Sequence, residues 1–262
     1  VTQRPVLAFA HRGGAYHPEI EGLENTLAAF RHAVALGYTH LETDVHVTRD
    51  GVLLAFHDDV LDRVTDSTGS IAELTLAEVR AARIASQHQV PTLAELFEAF
   101  PGASFNIDLK SGGAVPALAR FLDERGAHDR VVVGSFGVRR LRAFRRLTGG
   151  RVATSAHPVE VAAYLLSPSP RLARLLAGED FVAFQVPHRR TVRGRVLPIV
   201  TRDFVDRAHR AGKQVHVWTI DDPGEMRELL DIGVDGLMTD RTDLLKEVLI
   251  ARGQWPTSGS RA

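Results

Sequence analysis

The sequence predicts one α/β domain over 1–262, a (β/α)8 barrel of the TIM-barrel class with a small insertion after the second strand. Three observations carry that prediction. Short apolar runs of strand character alternate with helical patterns from end to end. Eight such runs fall within 262 residues. No Gly-rich dinucleotide fingerprint follows the first of them, because HRGGAYH lacks the GxGxxG spacing. Repeated strand–helix units imply parallel pairing through right-handed crossovers. Eight units in roughly 250 residues suit a closed barrel better than an open doubly wound sheet.

VLAFA (6–10) is the first strand, NTLAAFRHAVALG (25–37) the helix behind it, and LETDVHV (41–47) the second strand. Residues 48–103 then break the rhythm. The RDG turn after Val47 starts a hairpin into VLLAFHDD. TLAEVRAAR and TLAELFEAF read as helices, each with a threonine placed as N-cap and a glutamate three residues on. This block is expected to be an excursion on the strand-end side of the barrel, not an independent domain. SFNIDL (104–109), VVVGSF (131–136), RVATSA (151–156), FVAFQV (181–186), VHVWTI (215–220) and GLMTD (236–240) supply the other strands. Helices fall between them, among them 115–125 and 138–148, with a last one over 243–253. The tail over 254–262, QWPTSGSRA, is polar and expected to fray.

Composition narrows the class. At 44% hydrophobic residues the chain can bury a large core. Lys plus Arg equals Asp plus Glu at 32 each, so no net charge points to nucleic acid or an acidic membrane. The absence of cysteine excludes disulfides and thiolate metal sites. No apolar segment approaches the roughly 20 residues that span a bilayer, and the first apolar run is too short for a signal segment. The expectation is a cytoplasmic protein without stable membrane insertion, a leader removed before Val1 being left open. No feature sets the oligomeric state.

In a barrel of this kind active groups collect at the C-terminal strand ends. Side chains of a strand alternate faces, so Glu42, Asp44 and His46 share one face while Leu41, Thr43, Val45 and Val47 share the other. Glu42, Asp44 and Asp108 form an all-oxygen donor set suited to one hard divalent cation, Mg2+ or Ca2+. Lys110 shares the face of Asp108, and Arg12 follows the first strand; both can meet an anion bound there. A metal, an arginine and a lysine around one point suit a phosphate. The competing reading is a set of acid–base salt bridges across the barrel mouth. Of 12 histidines, His11 and His57 adjoin this cluster, and two imidazoles near a phosphate allow one to take a proton and the other to give one. Gln185 and Trp218 are weaker candidates for the substrate wall. Asp240 either holds a neighbouring strand-end group or caps the following helix.

HRGG (11–14), ENTLAAFRHAVALG (24–37), LETDVHVTRDGVLLAFHDDVLDRVT (41–65), WTIDD and GVDGLMTD together resemble the glycerophosphodiester phosphodiesterases, within the phospholipase-C-like phosphodiesterase superfamily. The similarity runs from the first strand to Asp240. It implies a barrel enzyme that uses a divalent metal to hydrolyse glycerophosphodiesters, as small-molecule substrates, to glycerol 3-phosphate and an alcohol. By position, His11 and His57 match the family's acid/base pair, Arg12 its phosphate grip, and Glu42 and Asp44 its metal ligands. Glu24 and Asn25 match its site-supporting pair, although EGLENT stands where PENT is usual. Asp108 falls where many members carry glutamate, and its shorter side chain shifts the ion or admits a water. Phospholipase-D-like barrels have Asp-x-Lys there, which keeps a lysophospholipase D or sphingomyelinase-D-like activity open. A third reading is an inactive phosphodiester-binding barrel. The nucleophile, water or the substrate's 2-hydroxyl, is not decided by sequence, nor which histidine acts as acid.

Overall fold

In the computed structural model, which describes residues 6–255 apart from 168, 170, 171, 174–177, 179 and 193, the alternating apolar runs close into a parallel barrel. The strands are β1 (Leu7–His11), β2 (His40–Val47), β3 (Leu53–Ala55), β4 (Ser104–Leu109), β5 (Val131–Gly134), β6 (Ala153–Thr154), β7 (Ala183–Pro187), β8 (Arg189–Val192), β9 (Arg195–Pro198), β10 (Gln214–Trp218) and β11 (Gly236–Thr239). Hydrogen-bonded neighbours run β6-β5-β4-β2-β1-β11-β10-β7. A parallel bridge between Ser155 and Ala183 joins β6 to β7 and completes the ring. The Val182 N–H donates to the Thr154 carbonyl and the Ala156 N–H to the Ala183 carbonyl, both at 2.9 Å. RVATSA thus holds a two-residue strand, which Ser155 extends by its single parallel bridge to Ala183.

The helices are α1 (Leu27–Leu36), α2 (Leu76–Val79), α3 (Leu93–Ala99), α4 (Ala114–Arg125), α5 (Val138–Thr148), α6 (Pro158–Leu166), α7 (Arg202–Arg210), α8 (Pro223–Ile232) and α9 (Thr242–Ala251). α1 starts where the Thr26 hydroxyl accepts from the Ala29 N–H and stops at Gly37, whose φ of 101° ends the helix in the left-handed region. Leu41, Val45, Phe105, Ile107 and Phe30 of α1 are buried in one core between the strands and the outer helices. Hydrophobic burial of this layer holds the cylinder rigid.

The excursion after β2 builds a core of its own. β3 pairs antiparallel with β2, Ala55 opposite Val45. Leu54, Phe56, Leu61, Ile71, Val79, Ala82, Ile84 and Val90 then cluster apart from the barrel core, while Leu93, Leu96 and Phe97 of α3 rejoin it. The two capping boxes expected from sequence are present, Thr75 with Glu78 and Thr92 with Glu95. The helix expected over TLAEVRAAR ends early, at Val79. Asp66 explains the stop: its carboxylate accepts from the Arg83 N–H at 2.7 Å and its own N–H donates to the Arg83 carbonyl at 3.1 Å, drawing the chain out of the helix.

Two further corrections concern the second half. The β8–β9 hairpin, paired from Arg189–Pro198 to Val192–Arg195, was not anticipated. Gln254 and Trp255, expected to belong to a frayed tail, are docked. Their N–H groups donate to the Leu249 carbonyl at 2.8 and 3.2 Å, and the indole meets Tyr38 edge-on at 5.1 Å. The rest of that tail, 256–262, lies outside the described residues. Among the described residues, no helix is long and apolar enough to cross a membrane.

Candidate active site

The chain leaves β1 through a turn that aims Arg12 back over the barrel mouth. Arg12, Gly13 and Gly14 have φ of 50, 88 and 92°, three left-handed residues in a row. Glycine is required at the second, where a Cβ would stand 2.7 Å from the Ala29 Cβ, and at the third, where it would stand 2.7 Å from the Thr242 side chain. The Arg12 N–H donates to Glu42 Oε2 at 3.1 Å, its Nε lies 3.1 Å from Asp44 Oδ2, and its Nη1 lies 3.3 Å from Glu24 Oε1. Asn25 donates to Asp44 Oδ2 at 3.2 Å and accepts from the Thr43 hydroxyl at 2.7 Å. Glu24 and Asn25 are thus tied to the cluster through Arg12 and Asp44.

Parallel pairing sets Asp44 beside Asp108, and alternation puts Glu42 one step below on the same face. Lys110 Nζ lies 2.9 Å from Asp44 Oδ1 and 2.7 Å from Asp108 Oδ2. Burial acts to raise the Asp44 pKa, but Lys110 and Arg12 outweigh it and hold the group below the usual carboxylate range. At Glu42 the charges of His11, Arg12 and Lys110 act to lower the pKa but do not outweigh burial. Burial, then the Asp44 charge, push its pKa up to about 7.

Each histidine of the expected pair is tied at Nδ1 to a carboxylate. His11 Nδ1 is 2.9 Å from Asp240 Oδ1, and His57 Nδ1 is 2.5 Å from Asp58 Oδ1. Asp240 thus holds a strand-end group, one of its two expected roles. Burial acts to lower the His11 pKa, yet Glu42 and Asp240 overcome it and raise it to about 9. Sequence reasoning passed over Arg63. Its guanidinium binds Asp58 through Nε at 2.6 Å and Glu24 through Nη1 and Nη2 at 2.9 and 2.7 Å. One side chain of the excursion thereby fixes both the carboxylate behind His57 and the carboxylate beside Arg12. His46 adds a contact from its Nε2 to the His57 carbonyl at 3.0 Å.

These groups open into a cavity of about 790 Å³. His11, Arg12, Glu42, Asp44, His57, Asp108 and Lys110 line it from β1, β2, β4 and the excursion. Gln185 lies in its floor, donating to Asn106 Oδ1 at 2.6 Å, and Trp218 lies in its wall, edge-on to Phe136 at 5.6 Å. In the facing wall, the β8–β9 hairpin was missed. Its available signal was the alternation of RRTV and RVLP about Gly194, a hairpin pattern.

Among the described residues no three acidic or imidazole side chains stand close enough together to hold an ion as they are placed. The donor set nevertheless fits a hard divalent cation. Glu42, Asp44 and Asp108 offer only oxygen, Asp108 Oδ1 is buried without a hydrogen-bond partner, and Glu42 is a buried acid pressed by another acid.

The glycerophosphoryl diester phosphodiesterase family model matches residues 11–244. A Mycobacterium tuberculosis protein named "probable glycerophosphodiester phosphodiesterase 2" is 40% identical over 252 residues, 95% of this chain and 92% of its own. A human lysophospholipase D is 27% identical, with 92% of this chain and 85% of its own covered. Among solved structures, an Oleispira antarctica phosphodiesterase in complex with the product sn-glycerol-3-phosphate superposes with a TM-score of 0.76 at 24% identity, over 94% of this chain and 97% of that one.

Proposed function

The chain belongs to the glycerophosphoryl diester phosphodiesterase family and is a phosphodiesterase of that class, and we propose that it cleaves glycerophosphodiesters to sn-glycerol 3-phosphate and an alcohol through His11 and His57. The observation that carries this reading is the pair of histidine–aspartate couples facing one cavity beside Arg12 and Lys110. A carboxylate at Nδ1 fixes the tautomer and leaves Nε2 to exchange a proton with the substrate. Arg12 and Lys110 offset the two phosphate oxygens, a preorganised charge that strengthens as the ester bond breaks. The Oleispira antarctica phosphodiesterase that shares this fold was solved in complex with the product sn-glycerol-3-phosphate, the product proposed here.

Glu42, Asp44 and Asp108 would hold the divalent cation, Mg2+ or Ca2+, whose chemistry there is to polarise the phosphoryl oxygen. Lys110 bridges Asp44 and Asp108, and its charge holds the Asp44 pKa below the usual carboxylate range, in the ionised state a cation requires. The test is glycerol 3-phosphate release from glycerophosphocholine, with and without chelator. Turnover that survives exhaustive chelation removes the metal from this reading. A cyclic glycerophosphate in single-turnover products identifies the substrate's 2-hydroxyl as nucleophile, and its absence identifies water. One barrel domain over 1–262 remains our reading of the chain's organisation.

A further inference from the structure

Formal charge is spread unevenly along the chain. Residues 135–200 hold 12 arginines, no lysine and three acids, a charge of +9, which leaves −9 on the rest. The zero total of the whole sequence conceals this split. One of the three acids, Glu160, is buried and bound by Arg145 at 2.6 Å, which takes both out of the surface. The segment includes the Phe136 end of β5, α5, α6 and the β8–β9 hairpin, and all but α5 contribute to one side of the barrel mouth. Arg139, Arg190 and Arg195 are exposed on these elements, without an ion pair or a side-chain hydrogen bond among the described residues. Arg142 and Arg146, also exposed and unpaired, follow Arg139 at helical spacing, the second of them about 10 Å along the α5 axis. The same elements expose apolar side chains. Leu166, which ends α6, is 83% exposed; Val196 of the hairpin is 63% exposed; and Phe136 is 61% exposed. A single exposed apolar residue means little. Several beside unpaired arginines make a surface with two chemistries, basic and apolar.

We infer that this side of the mouth docks reversibly on an anionic lipid bilayer, with the arginines at the head groups and Phe136, Leu166 and Val196 at the acyl boundary. Charge complementarity selects the partner. Each arginine near an anionic leaflet adds to the attraction, which reaches about one Debye length, so Arg146 still contributes. Apolar side chains then enter the interfacial layer to a shallow depth, and the attachment stays reversible. Docking is a property of the surface and does not depend on which diester is cleaved. Nucleic acid is the competing occupant, since the same arginines would attract phosphates. It stacks its bases on aromatic faces, whereas of the three exposed apolar groups here two are aliphatic and only Phe136 is a ring.

The test is co-sedimentation of the full chain with phosphatidylcholine vesicles, with and without about 30% phosphatidylglycerol, at low and high salt. The chain should partition onto the anionic vesicles at low salt, at least about tenfold more strongly than onto the neutral ones, and high salt should weaken that partition. The double variant Arg139→Gln/Arg195→Gln should bind anionic vesicles about 30-fold more weakly, about fivefold for each charge removed. Leu166→Gln/Val196→Gln should bind about tenfold more weakly. Arg31→Gln, an exposed arginine on α1 outside this sector, should change binding little. None of these residues lines the cavity, so circular dichroism and the turnover of a soluble diester should be unchanged in all three. Four outcomes overturn the inference: no partition onto anionic vesicles, equal partition onto neutral ones, unchanged partition in either double variant, or a loss in Arg31→Gln as large as that in the arginine pair. Tighter binding of single-stranded DNA than of vesicles, abolished in Arg139→Gln/Arg195→Gln, would overturn it too and assign the surface to nucleic acid.

Discussion

Two buried imidazoles, two strands apart in the barrel ring, are held in opposite states. His11 ends β1 between Asp240 and Glu42, and its pKa is raised to about 9 although burial acts against the charge. His216 lies on β10, where burial pushes its pKa down to about 4 and Asp235 restores little. Its Nδ1 accepts from the Gln185 amide at 3.3 Å, and its Nε2 donates to Gln214 Oε1 at 3.1 Å, so the neutral ring is fully partnered. Depth alone therefore does not decide charge; the company of carboxylates does. The same division runs around the mouth. The β1–β2–β4 side concentrates charge that can handle a phosphate, and the β5–β7–β10 side keeps an acid-free, largely apolar wall bordered by Arg189 and Arg190.

The hardest test of that division removes one imidazole from the charged side. His11→Ala and His57→Ala should each lower turnover by about 10²- to 10⁴-fold, with far-ultraviolet circular dichroism unchanged. Near-normal turnover in both would end their assignment as the acid/base pair.

Next in size is the pH dependence set by His216. In the folded state it refuses a proton that the unfolded chain takes up at the ordinary pKa of about 6.5. Its contribution is thus fully present above about pH 6.5 and is lost as pH falls from there toward 4. The loss is about 3 kcal/mol. Urea unfolding of His216→Gln at pH 7 and pH 4.5 should show a correspondingly shallower decline than the native chain. Equal slopes would mean that His216 does not stay neutral in the fold.

Arg63 carries the charged side's geometry without touching the cavity's contents. Arg63→Ala should lower kcat by about 10- to 100-fold, the range for residues that orient a reactive group. KM should change less, and Arg63→Lys should recover only part of the loss, because one ammonium cannot span Asp58 and Glu24 as the planar fork does. A loss confined to KM would make Arg63 a binding residue. The smallest effect falls on the apolar side: Trp218→Ala should raise KM by about three- to tenfold and leave kcat nearly unchanged, since it removes contact area and no charge. A collapse of kcat in this variant would show that the two sides are not separate in function.

Much of this was legible in the sequence because its causes are local. The alternation of LETDVHV assigned Glu42 and Asp44 to one face before any partner was known. Threonine and glutamate three apart marked both helix starts in the excursion. Asp240 stayed ambiguous, for its two candidate roles, holding a strand-end group or capping α9, look alike in a linear chain. Arg63 lay within a motif already quoted, yet its partner Glu24 is 39 residues away and nothing nearby indicates the pairing. The β8–β9 hairpin had a readable pattern, but the expectation of strand–helix repeats hid it.

Taken alone, the order of residues determined the repeating strand–helix plan, the faces on which the acids lie and the family to which the chain belongs, because steric alternation and turn chemistry act over a few residues. Only the closed barrel decided that His11 meets Asp240 across 229 residues, that Lys110 stands between Asp44 and Asp108, and that a largely apolar wall without acids faces the acidic one. Those contacts arise when the cylinder closes and strands distant in sequence become neighbours, and charge states follow from that proximity through burial and Coulomb interaction.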